Sequence, residues 1–184
     1  MNFKKHLTLS NFIFGLAIFL LIYKPTRAWF IRQVSFAPTV EKIEGGARVF
    51  DYNWELTGVN TYNANFSEFK GKVIFLNFWA TWCPPCVAEL PSIQKFYNDY
   101  KDDVVFITIT NENWNDVSTF FKEEGYEFPV YQAKQGYLKE LPSITSIPRT
   151  FIIDKHGNIR VDKSGAANWS DKNFLESIEF ILQE

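Results

Sequence analysis

Val73-Ile74-Phe75-Leu76-Asn77-Phe78-Trp79-Ala80-Thr81-Trp82-Cys83-Pro84-Pro85-Cys86 joins an almost unbroken apolar run to two cysteines three positions apart. A run such as Val73–Ala80 fits a strand covered on both faces, because a half-exposed strand would alternate with polar residues. Pro84 and Pro85 suit the first turn of a helix, where amides have no intrahelical acceptor. Beyond them Val87, Leu90, Ile93 and Tyr97 fall on one helical face as far as Tyr100, and the β-branched run Val104–Thr110 makes a second strand. The cysteines thus stand at the junction of the first strand with its helix.

Further along the chain, Asn115–Glu124 reads as a second helix, with Val117, Phe120 and Phe121 on one face and Gly125 as its stop. Phe128–Tyr131 suits a short strand and Tyr137–Leu141 a single helical turn. Thr150–Asp154 and Asn158–Asp162 flank Lys155-His156-Gly157 as a hairpin. A last helix is expected with Ser170 as N-cap, Trp169 and Phe174 as a hydrophobic staple, and Leu175, Ile178, Ile181 and Leu182 inward. Upstream, Arg48–Leu56 and Val59–Tyr62 alternate enough for two strands, and Phe66–Lys72 forms a turn. This order gives an α/β class with a central mixed sheet and helices on both faces.

The chain of 184 residues has room for one such domain, here 48–184, preceded by a linker over 33–47 and an N-terminal segment over 1–32. A formal charge of −2 supplies no broad positive field, which argues against nucleic acid as a partner. The only histidines are His6 and His156 and there is no second CxxC pair, so four zinc ligands are not to be found and no metal or cofactor is expected. His156 belongs to the hairpin turn and His6 to the N-terminal flank, and neither is read as a ligand or base.

Seventeen residues without a charge, Leu7–Tyr23, lie between His6 and Lys24. As a helix they extend about 25 Å, close to a bilayer's hydrocarbon core, with Tyr23, Lys24, Trp29 and Arg32 placed to anchor one interface. A cleaved signal peptide is the rival, since Phe12–Tyr23 has the length of its apolar core, but Pro25 and Arg27 spoil the cleavage site around Thr26-Arg27-Ala28. Phe12–Ile22 lacks the polar stripe of a buried soluble helix. The expectation is a membrane anchor contacting the lipid bilayer, its short tail in the cytoplasm and the rest exported.

Two cysteines three residues apart close too small a loop to restrain an unfolded chain, so the pair is placed for chemistry. Disulfide exchange starts with a thiolate, and a helix N-terminus favours a negative sulfur. Cys83 is therefore the attacking residue and Cys86, one turn further in, the resolving one. Pro84 and Pro85 restrict the loop and remove two amide donors that would otherwise stabilise that thiolate.

Gly71 to Cys86, with Glu89-Leu90-Pro91 and Ser146-Ile147-Pro148-Arg149-Thr150-Phe151-Ile152-Ile153-Asp154, resembles the TlpA/ResA-like thiol-disulfide oxidoreductases of the thioredoxin superfamily over about residues 50–184. The resemblance implies the thioredoxin fold and a Pro148 in the cis form packed opposite the cysteines, turning Ile147 toward a docking peptide. It also implies that Glu89 tunes the thiols or shuttles a proton, where otherwise it would be a solvated helix glutamate. Trp82 is expected at the rim in contact with substrate, and Trp79 as packing. Two departures stand out: Asn77 where cytosolic thioredoxins carry a buried Asp, and Arg149 where a small hydroxyl residue is familiar. That cation either faces the cysteines or points to solvent.

The implied activity is reduction of protein disulfides of the cytochrome c maturation type, with electrons from a membrane carrier of reducing equivalents; the partners are protein thiols and disulfides. Oxidation in the opposite direction uses the same residues. A peroxidase of the same fold would need Pro-x-x-x-Thr-x-x-Cys, and Thr81 stands only two before Cys83. A non-catalytic binding module would have no use for Cys83, Cys86 and Pro148 together.

Overall fold

A computed structural model describes residues 9–22, 38, 47–133, 136, 138–139 and 141–184. In chain order the elements are helix α1 (Leu9–Ile22), strands β1 (Glu55–Gly58) and β2 (Ala64–Asn65), a 3₁₀ turn (Phe66–Phe69), β3 (Val73–Phe78), α2 (Pro84–Tyr100), β4 (Val104–Ile109), α3 (Trp114–Glu124), β5 (Val130–Gln132), β6 (Arg149–Ile153), β7 (Ile159–Ser164) and α4 (Lys172–Gln183). They build one mixed sheet in the order β2-β1-β5-β4-β3-β6-β7. The three central strands β5, β4 and β3 are parallel, and β6 closes on β3 antiparallel with Asn77 opposite Thr150 and Phe78 opposite Arg149.

β3 lies in the middle of the sheet, and all six of its residues are buried, which explains a sequence apolar at every position but Asn77. Val73 and Phe75 face a cluster that takes Leu90, Ile93 and Phe96 from α2, Val117 and Phe121 from α3, and Phe174, Ile178 and Ile181 from α4. Ile74, Leu76 and Phe78 face the other way, onto Trp54, Leu56, Phe66, Leu138 and Leu141. Among the described residues, the α-helices α2, α3 and α4 share one face, where the sequence led us to expect helices on both; the other face carries the 3₁₀ turn. Successive right-handed crossovers that step in one direction across the sheet, β3 to β4 to β5, place their helices on the same side. The second face is closed by the segment 49–66 with its 3₁₀ turn, and around Leu138–Leu141 by a turn in which the Leu141 amide donates to the Leu138 carbonyl.

Two further expectations shift. Arg48–Leu56 is not a strand throughout: Arg48 makes one isolated bridge to Asn158 and pairing begins only at Glu55, while Ala64–Asn65, rather than Val59–Tyr62, returns as the hairpin partner. Asp171, not Ser170, caps α4, because its carboxylate accepts from the amides of Asn173 and Phe174 while Ser170 turns to Asn168. The Trp169–Phe174 contact survives that one-residue shift, with ring centroids 5.3 Å apart. Gly125 ends α3 in the left-handed region at φ 72°, open to glycine at little cost. α1 has fourteen residues, and no helix among the described residues is long and apolar enough to cross a membrane. The rest of the expected anchor and most of the linker lie outside the described residues.

Candidate functional site

β3 ends at Phe78 and the chain turns through Ala80–Cys83, where the Cys83 amide donates to the Ala80 carbonyl. Glu112, just past β4, clamps this turn: its two carboxylate oxygens accept from the Thr81 amide at 2.7 Å and the Thr81 hydroxyl at 2.6 Å. Cys83 then serves as the N-cap of α2, in an extended conformation, with Pro84 and Pro85 opening the helix. Cys83 and Cys86 are joined by a disulfide with Cα atoms 5.2 Å apart, and the Cys86 amide donates to the Cys83 sulfur at 3.3 Å. Since two of the first three helical residues are prolines, Cys86 supplies the amide that a sulfur at the cap can use.

Opposite the disulfide, the Ile147–Pro148 peptide bond is cis, as the resemblance implied. The Ile147 carbonyl oxygen lies 3.8 Å from the Cys83 sulfur. A groove of about 190 Å³ runs beside the pair, lined among others by Trp79, Trp82, Ile109, Glu112 and Ile147. Trp82 forms its exposed rim at 71% accessibility, whereas Cys83 is 4% exposed and Cys86 fully buried. Trp82, Cys83, Ile147 and Pro148 thus meet at one end of the sheet. Trp79 is a packing residue, stacked near Phe120 and Phe121.

Glu89 sits one turn beyond Cys86 and is 1% exposed, which rules out the solvated alternative. One oxygen accepts from Asn77 Nδ2 at 2.9 Å; the other accepts from the Ala167 amide at 3.1 Å and the Trp169 indole at 3.0 Å. Burial pushes its carboxyl up to about 7, against the opposing pull of the Trp169, Ala167 and Asn77 hydrogen bonds and the Lys163 charge. Asn77 also donates to Thr150 Oγ1 at 2.8 Å, and its own Oδ1 is buried without a hydrogen-bond partner among the described residues. Arg149 neither faces the cysteines nor points free into solvent. It forks onto Asp162 of β7 at 2.5 and 2.7 Å and lies over the Phe151 ring.

The sequence alone does not mark Trp169, Ala167, Thr150 and Glu112 as site residues. Their partners are up to 80 positions away, and only the closed sheet brings them together. The readable part of the signal was a tryptophan just ahead of a capping residue, which fits a hydrophobic staple equally well.

Comparison with known proteins agrees with this geometry. The Redoxin family model matches residues 37–178. The thiol-disulfide oxidoreductase ResA of Geobacillus kaustophilus is 34% identical over 127 residues, 67% of this chain and 73% of that protein. ResA of Oceanobacillus iheyensis is 30% identical over 85% of this chain and 83% of its own length. Among solved structures, a thioredoxin-family thiol:disulfide interchange protein from Chlorobium tepidum superposes with a TM-score of 0.60 at 27% identity, covering 79% of this chain and 97% of that one. The chain therefore belongs to the redoxin family and is a thiol-disulfide oxidoreductase similar to ResA.

Proposed function

We propose that this protein works as an exported, membrane-tethered dithiol reductase that returns oxidised protein cysteines to thiols, cytochrome c apoproteins being the substrate class the resemblance implies. The observation that carries the direction is the cap of α2: with prolines at its first two positions, the helix offers the Cys83 sulfur the single Cys86 amide. A thiol environment rich in donors stabilises the reduced pair and makes an oxidant; one poor in donors, with a buried carboxyl group a turn away, leaves the pair inclined to give up its electrons.

In this reading Cys83 attacks a substrate disulfide and Cys86 resolves the mixed disulfide. Glu89 accepts the proton that Cys86 must lose, and Trp82, Ile147 and Pro148 seat the substrate chain. The two electrons leave with the substrate thiols, and a membrane carrier of reducing equivalents restores the dithiol. Residues 1–32 serve as anchor, 33–47 as tether and 48–184 as the thioredoxin-like domain. The anchor is supported by the uncharged stretch Leu7–Tyr23 and by the exposed apolar side chains Phe12, Ile13, Phe14 and Phe19 on α1.

The full chain carrying Cys86→Ala, expressed in its own membrane, tests this. Thiol-labile adducts with exported proteins are expected through Cys83, and are expected to vanish when Cys83→Ser is added. A folded Cys86→Ala protein that accumulates no adduct would contradict the proposal.

A further inference from the structure

We propose that Trp169 is a positioning residue of the exchange reaction: its indole N–H fixes the Glu89 carboxylate where it takes up the proton of Cys86. This rests on Glu89 being the proton acceptor proposed above, and adds the residue that holds it in place.

Hydrogen bonds from Ala167 and Trp169 to Glu89, and between both residues and Ser92, bind the segment between β7 and α4 to the active-site helix. The Ala167 amide and the Trp169 indole converge on the same Glu89 oxygen, and the Trp169 amide donates to Ser92 Oγ at 3.1 Å, whose hydroxyl in turn donates to the Glu89 carbonyl at 2.7 Å. The indole cannot swing away, because it is fully buried and meets Phe75 and Phe174 edge-on at centroid distances of 5.2 and 5.3 Å. Burial alone does not demand such a partner here: Trp79 is equally enclosed, and its indole nitrogen has no hydrogen-bond partner among the described residues. Trp169 is instead aimed at a carboxylate, the kind of acceptor that gains most from a fixed donor in a dry site.

After Cys83 has formed a mixed disulfide and released one substrate thiolate, the Cys86 thiol gives its proton to the Glu89 carboxylate. The Cys86 thiolate attacks the Cys83 sulfur, the Cys83–Cys86 bond forms, the bond to substrate breaks, and the second substrate sulfur leaves as a thiolate. Glu89 then passes its proton to that thiolate or to water. A carboxyl that burial alone would keep protonated cannot accept a proton, and this is why donors on it matter. The other groups acting on Glu89 are Asn77, whose amide donor is shared with Thr150, and the more distant charge of Lys163 on β7; Cys83 and Cys86 are the titratable neighbours at the start of α2.

The test follows the pH dependence of mixed-disulfide resolution by the reduced full chain in detergent micelles, with a disulfide-linked peptide as probe. Trp169→Phe keeps the ring and deletes the donor; the inflection belonging to Glu89 is expected to move up by about one pH unit, the equivalent of one charged hydrogen bond. In a Glu89→Gln background Trp169→Phe is expected to move nothing. A measurement on the unmutated protein guards against misfolding: the Trp169 indole ¹⁵N–¹H resonance is expected to titrate with the kinetic midpoint and to lose that titration in Glu89→Gln. An unmoved inflection in Trp169→Phe, a shift that persists without Glu89, or an indole resonance indifferent to pH overturns the assignment of Trp169. A Glu89→Gln enzyme with the unmutated pH profile overturns the proton-acceptor reading itself.

Discussion

Replacing Glu89 by glutamine is expected to make the oxidised protein more stable at pH 8 and to change little at pH 4. The side chain is buried, and its carboxyl is raised from 4.5 to about 7, burial being the largest cause. Between those values the folded protein keeps a proton that the unfolded chain has released, so stability falls as pH rises through that window and levels off above it. At about 1.4 kcal/mol per pH unit, the loss attributable to this one carboxyl is about 3 kcal/mol. Glutamine carries no such penalty. Its oxygen can accept from Trp169 and Ala167, and its amide has an acceptor in the unpartnered Asn77 Oδ1 once the Asn77 amide turns over. Urea unfolding with the Cys83–Cys86 disulfide intact, from pH 4 to 8, measures the effect. With an m-value of about 2 kcal/mol/M, the midpoint difference between the two proteins should grow by about 1.5 M across the range. Asp154 titrates in the opposite sense at lower pH, burial raising its carboxyl but the hydrogen bonds from Asn158, Arg160 and His156 bringing it below the ordinary value; it is common to both proteins and drops out of the difference. A midpoint difference that does not vary with pH would mean that Glu89 is not a buried carboxyl with a raised pKa.

Other expectations follow from single contacts. Gly58→Ala would set a methyl group 2.1 Å from the Thr61 carbonyl oxygen, backbone that cannot move aside, and should cost about 2 kcal/mol or more in chemical denaturation. Glu112→Ala strands the Thr81 amide and hydroxyl in the turn before Cys83; a loss of about 1–3 kcal/mol, read as a fall in Tm of about 5 °C, should accompany slower disulfide exchange.

The nearly continuous apolar stretch of β3, the prolines that open α2 and the glycine-bearing hairpin between β6 and β7 are all legible, because each depends on neighbours in sequence. Elsewhere tertiary context decides. Arg48–Leu56 alternates like a strand, yet its apolar members Val49, Tyr52 and Trp54 cover the second face of the sheet without pairing into it. Ser170 and Asp171 are both competent caps; the Ser170 hydroxyl donates to Asn168 Oδ1, which leaves the Asp171 carboxylate to accept from the first-turn amides of α4. At the site, Cys83 and Cys86 announce themselves by spacing, and Glu89 by the resemblance. The cage around Glu89 does not, since Asn77, Ala167 and Trp169 come from a strand and a connection far apart in the chain and meet only on the α2 face. Arg149 shows the converse: a conspicuous charge that Asp162 on the adjacent strand engages.

Equilibration with glutathione at pH 7 gives the reduction potential of the Cys83–Cys86 couple, and with it the direction in which the protein moves electrons. A sulfur at a helix cap served by one amide predicts a reducing couple, near the roughly −270 mV of thioredoxin or below it. A value near the roughly −120 mV of a strong thiol oxidant would mean that the thiolate is well stabilised after all, and would contradict the account.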